Sequence, residues 1–236
     1  MIKSKRLSKV LEYVDYVGTV ADVGADHGYL AEMLIDSGKA RKVIATDISS
    51  TSLDKTKLLI AKHDLEGKIQ TRVGDGLLVL QPNEVDIAVI AGMGGHEIAK
   101  ILGDRKRVDG IKNFVLQPVQ KAVDLRKWLM ANSYEILFDE CVEDSGKFYD
   151  VLKVRKVFFK KKLNYKQIMF GKTNLDSKVL SEDFVGKLVS EKRRFENVLT
   201  SNALTEERDR DLKKYIKTVN KLLKKSEKGK GEPCKN

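Results

Sequence analysis

Up to about residue 130, the apolar residues of the chain form short strand-like runs that alternate with longer stretches of helical spacing. Short apolar runs lie at residues 19–23, 43–46, 69–73, 85–91 and 113–116. Amphipathic stretches with helical spacing start near Tyr29, Ser50, Leu77, Gly95 and Gln120, and an earlier one covers residues 4–17. Continuous apolar strands that alternate with longer helical stretches indicate a parallel sheet buried on both faces.

After residue 130 this alternation ends, and two strand-like runs follow each other at 134–142 and 148–157. The charged turn 143–147 separates them, which predicts an antiparallel hairpin that closes the sheet. Beyond Phe159 two amphipathic stretches are expected to pair as a coiled-coil-like helical hairpin. The predicted fold class is therefore α/β, a Rossmann-like sheet with an antiparallel last strand, followed by the helical hairpin.

The 236 residues allow one full α/β domain and a smaller appendage. We expect an α/β domain over residues 1–160 and a helical domain over 161–226. Residues 227–236 are short, charged and contain glycine and proline, so we expect a disordered tail there. No stretch has the length of a membrane span, and the first ten residues lack the apolar run of a signal peptide.

The net charge of +11 is unevenly distributed along the chain. Residues 161–236 hold 20 Lys and Arg against 11 Asp and Glu, whereas residues 1–160 hold 25 against 23. A basic end on a nearly neutral body suggests a polyanionic partner such as nucleic acid, although a solvated lysine-rich surface explains the charge equally well. Cys141 and Cys234 lie far apart and have neither metal-ligand spacing nor a disulfide framework, so we expect a cytoplasmic protein without a metal. We also expect a monomer.

Candidate chemistry starts in the loop after the first predicted strand. This loop reads Asp22-Val23-Gly24-Ala25-Asp26-His27-Gly28-Tyr29. A dinucleotide-binding loop would carry glycine at the position of Asp26, where a carboxylate repels a pyrophosphate. Asp26 suits a cation instead, and S-adenosylmethionine carries a sulfonium and an ammonium group. An ordinary tight turn is the alternative interpretation of this loop.

Three further loops follow predicted strands and carry glycine, aspartate or both. They read Asp47-Ile48, Gly74-Asp75-Gly76 and Gly92-Met93-Gly94-Gly95. An acidic residue at the end of the second strand, as Asp47 is, can accept hydrogen bonds from both ribose hydroxyls of an adenosine, or it can cap the next helix. Asp75 or its neighbouring amides are candidates for the adenine edge. The glycines after the fourth strand provide a backbone wall that a flat base can approach.

These residues together resemble the TrmK family, bacterial tRNA methyltransferases that modify N1 of adenine 22. The matching pieces are Arg6-Leu7, Asp22-x-Gly24-x-Asp26-His27-x-Tyr29-Leu30, Asp47-Ile48, Gly74-Asp75-Gly76, Gly92-Met93-Gly94-Gly95 and Gln117-Pro118. The resemblance implies a methyltransferase domain, S-adenosylmethionine as donor and tRNA as substrate. One departure is Gly28 before Tyr29 and Ala31 after Leu30, where the family often has alanine and proline.

Site residues are assigned on this basis. The predicted cofactor contacts are Asp22, Gly24, Asp26, His27, Asp47, Ile48, Gly74, Asp75, Gly76, Gly92, Met93 and Gly94. Asp26 is also a candidate to accept a hydrogen bond from adenine N6, and Gln117 to orient the base. His27 either points at the base or caps the first helix of the sheet. A flat apolar surface for the base is expected from Tyr29 or Met93. The predicted RNA contacts are Arg6, Tyr29, Lys192, Arg193, Arg194, Lys213 and Lys214.

Three other functions remain for this chain. A small-molecule methyltransferase on the same fold would not need the basic appendage. A non-catalytic RNA-binding protein would bind RNA with strong salt dependence and would not bind S-adenosylmethionine. A nicotinamide dehydrogenase is disfavoured because Asp26 stands where its phosphate-binding turn needs glycine.

Overall fold

The computed structural model describes residues 4–104, 110–159, 161–177, 179–200 and 204–229. They fall into two compact units, Met1–Lys172 and Thr173–Asn236. The strands of the first unit are β1 (Val17–Val23), β2 (Ala40–Asp47), β3 (Ile69–Val73), β4 (Ile87–Gly94), β5 (Asn113–Gln120), β6 (Tyr134–Asp144) and β7 (Lys147–Lys156). Its helices are α1 (Lys5–Tyr13), α2 (Tyr29–Asp36), α3 (Ser50–Lys62), α4 (Gly95–Gly103), α5 (Ala122–Ala131) and α6 (Tyr165–Phe170), and α7 (Lys172–Asp176) begins at its last residue.

The described strands form one seven-stranded sheet in the order β3-β2-β1-β4-β5-β7-β6. Strands β1 to β5 pair in parallel, whereas β7 is antiparallel to β5 and β6 is antiparallel to β7. The chain winds outward from β1 to β3 and then returns to the other side of β1 with β4. A crevice therefore opens between β1 and β4 at the carboxyl ends of the strands, where ligands bind in doubly wound sheets.

The strands are buried because helices cover both faces of the sheet. In β1, Ala21 and Val23 face one apolar cluster that includes residues of α4 and α5. Val20 faces the opposite cluster, which includes residues of α1, α2 and α3. Strands that are buried on both faces have continuous apolar sequences rather than alternating apolar and polar residues, as the sequence predicts.

The connection from β3 to β4 differs from the helix predicted near Leu77. The structure has a single 3-10 turn there, Gly76–Val79, that buries Leu77. Pro82 follows shortly afterwards, and Asn83 has a positive φ of 58°. Proline disfavours a helical conformation in the residue before it, and the left-handed Asn83 ends any continuation, so no α-helix extends through this segment.

A buried ionic cluster fixes the antiparallel hairpin of β6 and β7 to α5. The guanidinium of Arg126 on α5 donates to both carboxylate oxygens of Asp139 on β6 at 2.7 Å and to Asp150 on β7 at 2.9 Å. Arg126 and Asp139 are fully buried. Because a bidentate guanidinium–carboxylate pair has a fixed geometry, this cluster determines how α5 lies on the hairpin.

The second unit contains α8 (Glu182–Leu199) and α9 (Glu206–Gly229). Phe195 of α8 packs edge-on against the ring of Tyr215 of α9, with 4.9 Å between the ring centroids. The Tyr215 hydroxyl also donates to the Glu191 carboxylate. The two helices thus pair as the sequence predicts. The α9 helix runs to Gly229, into the predicted tail, and residues 230–236 lie outside the described residues.

Candidate active site

A cavity of about 340 Å³ opens in the crevice between β1 and β4. Its lining residues come from the ends of β1, β2 and β4, the turn after β3, and α4. They are Val23, Gly24, Asp47, Ile48, Asp75, Gly76, Ala91, Gly92, Met93, Glu97, Lys100 and Ile101. The cavity therefore joins residues from all four loops that the sequence singles out for their glycines and aspartates.

The loop after β1 approaches the neighbouring strands closely. The Gly24 N–H donates to the Thr46 carbonyl at 2.8 Å, which fastens the loop to the end of β2. Gly24 has a φ of +75°, and a Cβ there would lie 2.5 Å from the Met93 side chain. Glycine is favoured at this position because the left-handed backbone conformation strains other residues, whereas the flexible end of the Met93 side chain could move away from a Cβ.

Asp47 lies at the end of β2 with both carboxylate oxygens held by backbone donors. Oδ1 accepts from the Ser49 N–H at 2.8 Å, and Oδ2 accepts from the Asp26 N–H at 3.4 Å. Ser49 is the residue that caps α3, since its hydroxyl accepts from Ser52 N–H, so the helix-capping alternative for Asp47 is wrong. An ionised carboxylate has about four acceptor positions, so the oriented Asp47 can still accept hydroxyls from a ligand in the cavity.

The loop after β4 is shaped by an irregularity in the strand. The pairing of β4 with β5 shifts register on both sides of Met93, and Gly92 has a φ of +80°. The fully buried Gln117 of β5 accepts from the Gly92 N–H at 3.1 Å and from the Arg6 guanidinium at 2.5 Å. Its amide nitrogen donates to the Pro118 carbonyl at 3.0 Å. In this structure Gln117 thus holds the wall of the cavity, and its role in orienting a base stays a prediction.

Asp22 is buried near the end of β1, next to the lining residue Val23, with 3% of its surface exposed. It accepts from the Ala31 amide in the first turn of α2, while Oδ2 has no hydrogen-bond partner among the described residues. Burial raises the pKa of Asp22 to about 7, the Ala31 amide opposes this increase, and the charge of Asp47 adds to it. A cation bound nearby would stabilise the ionised form of Asp22.

Asp26 and His27 lie beside the cavity and, among the described residues, are not part of its lining. The Asp26 carboxylate is 3.4 Å from His27 Nε2 and 3.6 Å from Lys55 Nζ. The His27 ring stacks on Tyr29 with centroids 5.5 Å apart. The residue that caps α2 is Gly28, so the helix-capping alternative for His27 is wrong. These partly exposed groups form one polar and aromatic rim.

The structure thus brings together most of the predicted cofactor contacts. Gly24, Asp47, Ile48, Asp75, Gly76, Gly92 and Met93 line the cavity, and Asp22, Gly74 and Gly94 each neighbour a lining residue in the chain. Asp26 donates its N–H to the lining residue Asp47, and His27 lies beside Asp26. The sequence reasoning missed three residues of the wall on α4. Glu97, Lys100 and Ile101 stand three and four positions apart, so they share one face of that helix. Helical spacing after the glycine loop could have indicated this face.

The predicted RNA contacts lie in both units. Arg6 of α1 bonds to Gln117 and lies over the Tyr149 ring at 5.5 Å. The other predicted basic contacts lie on α8 and α9. In that unit Lys192 is paired with Glu196, and Lys213 with Asp209.

The sheet order, the crevice and its glycine-rich loops define a Rossmann-like methyltransferase fold. Residues 3–152 match the family model described as a methyltransferase domain. The chain therefore belongs to this family and, within it, to the TrmK family whose motifs it carries.

Relatives of known name support this assignment. The chain is 38% identical over 150 residues to the tRNA (adenine(22)-N(1))-methyltransferase of Bacillus subtilis, and the match covers 63% of each sequence. The crystal structure of TrmK from B. subtilis superposes with a TM-score of 0.71 at 29% identity and covers 94% of this chain and 98% of that one. A Streptococcus pneumoniae protein, assigned as a tRNA (m1A22) methyltransferase and solved in complex with S-adenosyl-L-methionine, gives a TM-score of 0.80 at 29% identity over 93% and 99% of the chains.

Proposed function

We propose that this chain transfers a methyl group from S-adenosylmethionine to N1 of adenine 22 in tRNA. The observation that carries the proposal is the cavity at the strand ends, lined by close-packed glycines and by Asp47 and Asp75. The B. subtilis relative bears the name of this activity, although the match covers less than two thirds of its length.

The cavity fits a cationic nucleoside donor. Its glycines leave room for a ligand close to the backbone, and the loop after β1 departs from the phosphate-binding pattern G-x-G-x-x-G, since Asp26 occupies the middle position. Asp47 is oriented to accept hydrogen bonds from ribose hydroxyls. Asp75, in the turn after β3, is our candidate to contact the adenine edge. The buried Asp22 has one carboxylate oxygen without a hydrogen-bond partner among the described residues. Acidic groups on two sides would favour the positive charge of the donor.

The residues of the chain mainly have to align the reactants. S-adenosylmethionine supplies an electrophilic methyl group when bound, and adenine N1 has its own lone pair, so no base is needed to create the nucleophile. Gly92, held by Gln117, keeps the wall next to the cavity free of side chains. The methylated ring becomes positively charged, and the Asp26 carboxylate is our candidate to accept a hydrogen bond from N6 that strengthens as this charge develops.

The helical unit offers a basic face suited to tRNA. A groove of about 490 Å³ beside α9 is lined by Lys213, Lys217, Lys221 and Lys224, which recur at helical spacing. Ammonium groups on one helical face can contact successive phosphates and release their condensed counterions. Lys192, Arg193, Arg194 and Lys214 remain proposed contacts from the sequence.

Further expectations belong to the same proposal. A tRNA substrate would place the protein in the cytoplasm, and we propose that it acts as a monomer without a metal ion. Among the described residues, no group of three or more His, Cys, Asp and Glu side chains could hold a metal. None of the described helices is long and apolar enough to span a membrane.

The decisive experiment supplies the full chain with labelled S-adenosylmethionine and an unmodified tRNA transcript, and then maps the label. We expect 1-methyladenine at position 22, and a transcript with guanine at that position should stay unlabelled. Cofactor binding without methylation of any tRNA would favour a small-molecule methyltransferase. RNA binding without cofactor binding would favour a non-catalytic protein.

A further inference from the structure

A second concave surface lies at the opposite edge of the sheet from the proposed active site. It forms a cavity of about 480 Å³ where β5 begins and β7 ends. We call it the Phe158–Phe159 surface, and its basic and aromatic members are Lys112, Arg155, Lys156, Phe158, Phe159 and Lys161. Because β5 begins at this edge and ends at the other, the two cavities lie at opposite ends of the strands.

Two aromatic rings on this surface are uncovered. Phe158 is 99% exposed and Phe159 is 82% exposed, the largest exposures among the apolar side chains of the described residues. Two exposed phenylalanines contribute nothing to the core, and the contact of their rings with water is unfavourable. Large exposed apolar groups next to a cavity mark a contact surface for a partner.

The surroundings of the two rings are strongly basic. Four of the residues that line the cavity are basic, namely Lys112, Arg155, Lys156 and Lys161. Glu135 is the acidic member of the cavity lining, and it is already paired with Arg155 at 2.7 Å and Lys161 at 3.7 Å. The positive charge of the surface therefore exceeds its negative charge, which complements a polyanion.

Proteins that bind single-stranded nucleic acids combine aromatic rings with basic side chains on a concave surface. Bases stack on the rings, and ammonium groups contact the phosphates. A membrane anchor of this chemistry would be an amphipathic helix, whereas residues 157–159 have no helical structure. The cavity also offers space for flat groups beside the rings.

We propose that the Phe158–Phe159 surface is a second RNA-binding site, in which the two rings stack on unpaired bases and Lys112 contacts a phosphate. The proposal rests on tRNA being the substrate. Since the surface is remote from the methyl-transfer cavity, it binds nucleotides other than the target adenine. It therefore contributes to affinity for a large, folded RNA and not to binding of the methyl donor.

The test compares two double variants of the full chain. Phe158→Leu with Phe159→Leu keeps apolar side chains and removes the rings, whereas Phe158→Tyr with Phe159→Tyr keeps the rings. Leu58→Ala, which removes another well exposed apolar side chain on α3, is the matched control. Affinity for an unmodified tRNA transcript is measured by fluorescence anisotropy, and S-adenosylmethionine affinity by calorimetry.

We expect the leucine variant to raise the Kd for tRNA at least about tenfold, because its side chains cannot stack on bases. The tyrosine variant and Leu58→Ala should retain the affinity of the unchanged protein, and all variants should bind the methyl donor equally. Suppose that the unchanged protein methylates tRNA and that the leucine variant binds tRNA with the same affinity as the unchanged protein. In that case the inference is wrong, while the proposed function stands. Loss of binding to anionic vesicles, or of self-association, in the leucine variant with unchanged tRNA affinity would assign the surface to a membrane or to a second copy. Absence of tRNA methylation by the unchanged protein would instead reject the proposed function.

Discussion

At the scale of single residues, Asp22 departs from the usual rule that buried polar groups have hydrogen-bond partners. One of its carboxylate oxygens has no partner among the described residues, and the pKa of the group is raised to about 7. Proteins keep such groups where they serve a ligand or where protonation relieves the cost. Asp22 neighbours Val23 and is affected by the charge of Asp47, both of which line the cavity, and this connects the cost to the proposed cofactor site.

Asp22 gives stability a defined dependence on pH. Between pH 4 and pH 7 the folded chain holds a proton on Asp22 that the unfolded chain has released, so the free energy of unfolding falls as the pH rises through this window. The fall amounts to roughly 4 kcal/mol and levels off above the raised pKa. Asp22→Asn should remove this contribution, which urea unfolding at pH 5 and pH 8 measures. An unchanged pH dependence in the variant would contradict the raised pKa.

Asp47 is the residue whose loss should affect the donor most directly. Asp47→Ala removes an acceptor already oriented by the Ser49 and Asp26 amides, and we expect binding of S-adenosylmethionine to weaken by about 1–3 kcal/mol. Calorimetry measures the affinity. Asp54→Ala, on the exposed part of α3, serves as the control and should leave binding unchanged. Unchanged affinity in Asp47→Ala would remove Asp47 from the site.

At the scale of elements, the ionic cluster of Arg126 joins α5 to both strands of the hairpin. Arg126→Met should destabilise the protein by about 3–5 kcal/mol, because two carboxylates would stay buried without their partner. Lys127→Met, at the adjacent exposed position, should change stability by less than about 0.5 kcal/mol. Urea unfolding of both variants measures the difference, and equal stabilities would show that the cluster does not stabilise the hairpin.

The sequence predicts the elements well where packing and period agree. The parallel strands, the hairpin and the two C-terminal helices follow from the spacing of apolar residues, because each buries a continuous face. The helix predicted near Leu77 is wrong because its short apolar run supports only one turn before Pro82. The cluster of Arg126 could not be predicted, since its partners come from separate elements and only the fold brings them together.

The candidate site was partly predictable for the same reason. Glycines and aspartates at strand ends share one edge of a parallel sheet whatever the details, so their convergence follows from the fold class. The pairing of Gln117 with Arg6 and Gly92 depends on how α1 packs, which the local sequence does not specify. The unpartnered oxygen of Asp22 likewise depends on the position of α2.

At the scale of the whole molecule, the proposed function assigns donor binding to the first unit and phosphate binding to the lysines of α9. Changing Lys213, Lys217 and Lys221 to Gln should raise the Kd for tRNA, and the slope of log affinity against log salt should fall by about 0.9 for each phosphate that the variant no longer neutralises. The affinity for S-adenosylmethionine should not change, because these lysines lie in the other compact unit. Anisotropy titrations at several salt concentrations measure the tRNA affinity and its slope, and calorimetry measures donor binding.

A charge-matched control separates local interactions from the total charge. Lys57, Lys62 and Lys68 lie in the first unit on and after α3, and changing them to Gln removes the same three charges. If this variant binds tRNA as weakly as the α9 variant, the net charge alone accounts for binding. A smaller effect assigns the phosphate-binding lysines to α9.

The position of α1 sets the order in which the first unit can be completed during synthesis. The Ser4 hydroxyl donates to Asp144, and Lys9 pairs with Glu140, so the earliest helix packs against a hairpin translated more than a hundred residues later. In addition, among the described strands β6 pairs with β7 alone, and β7 is the last of them along the chain. Until β7 has left the ribosome, α1 can pack against α2 and β5 but lacks its partners on the hairpin, and a nascent chain at that stage exposes apolar surface that favours aggregation.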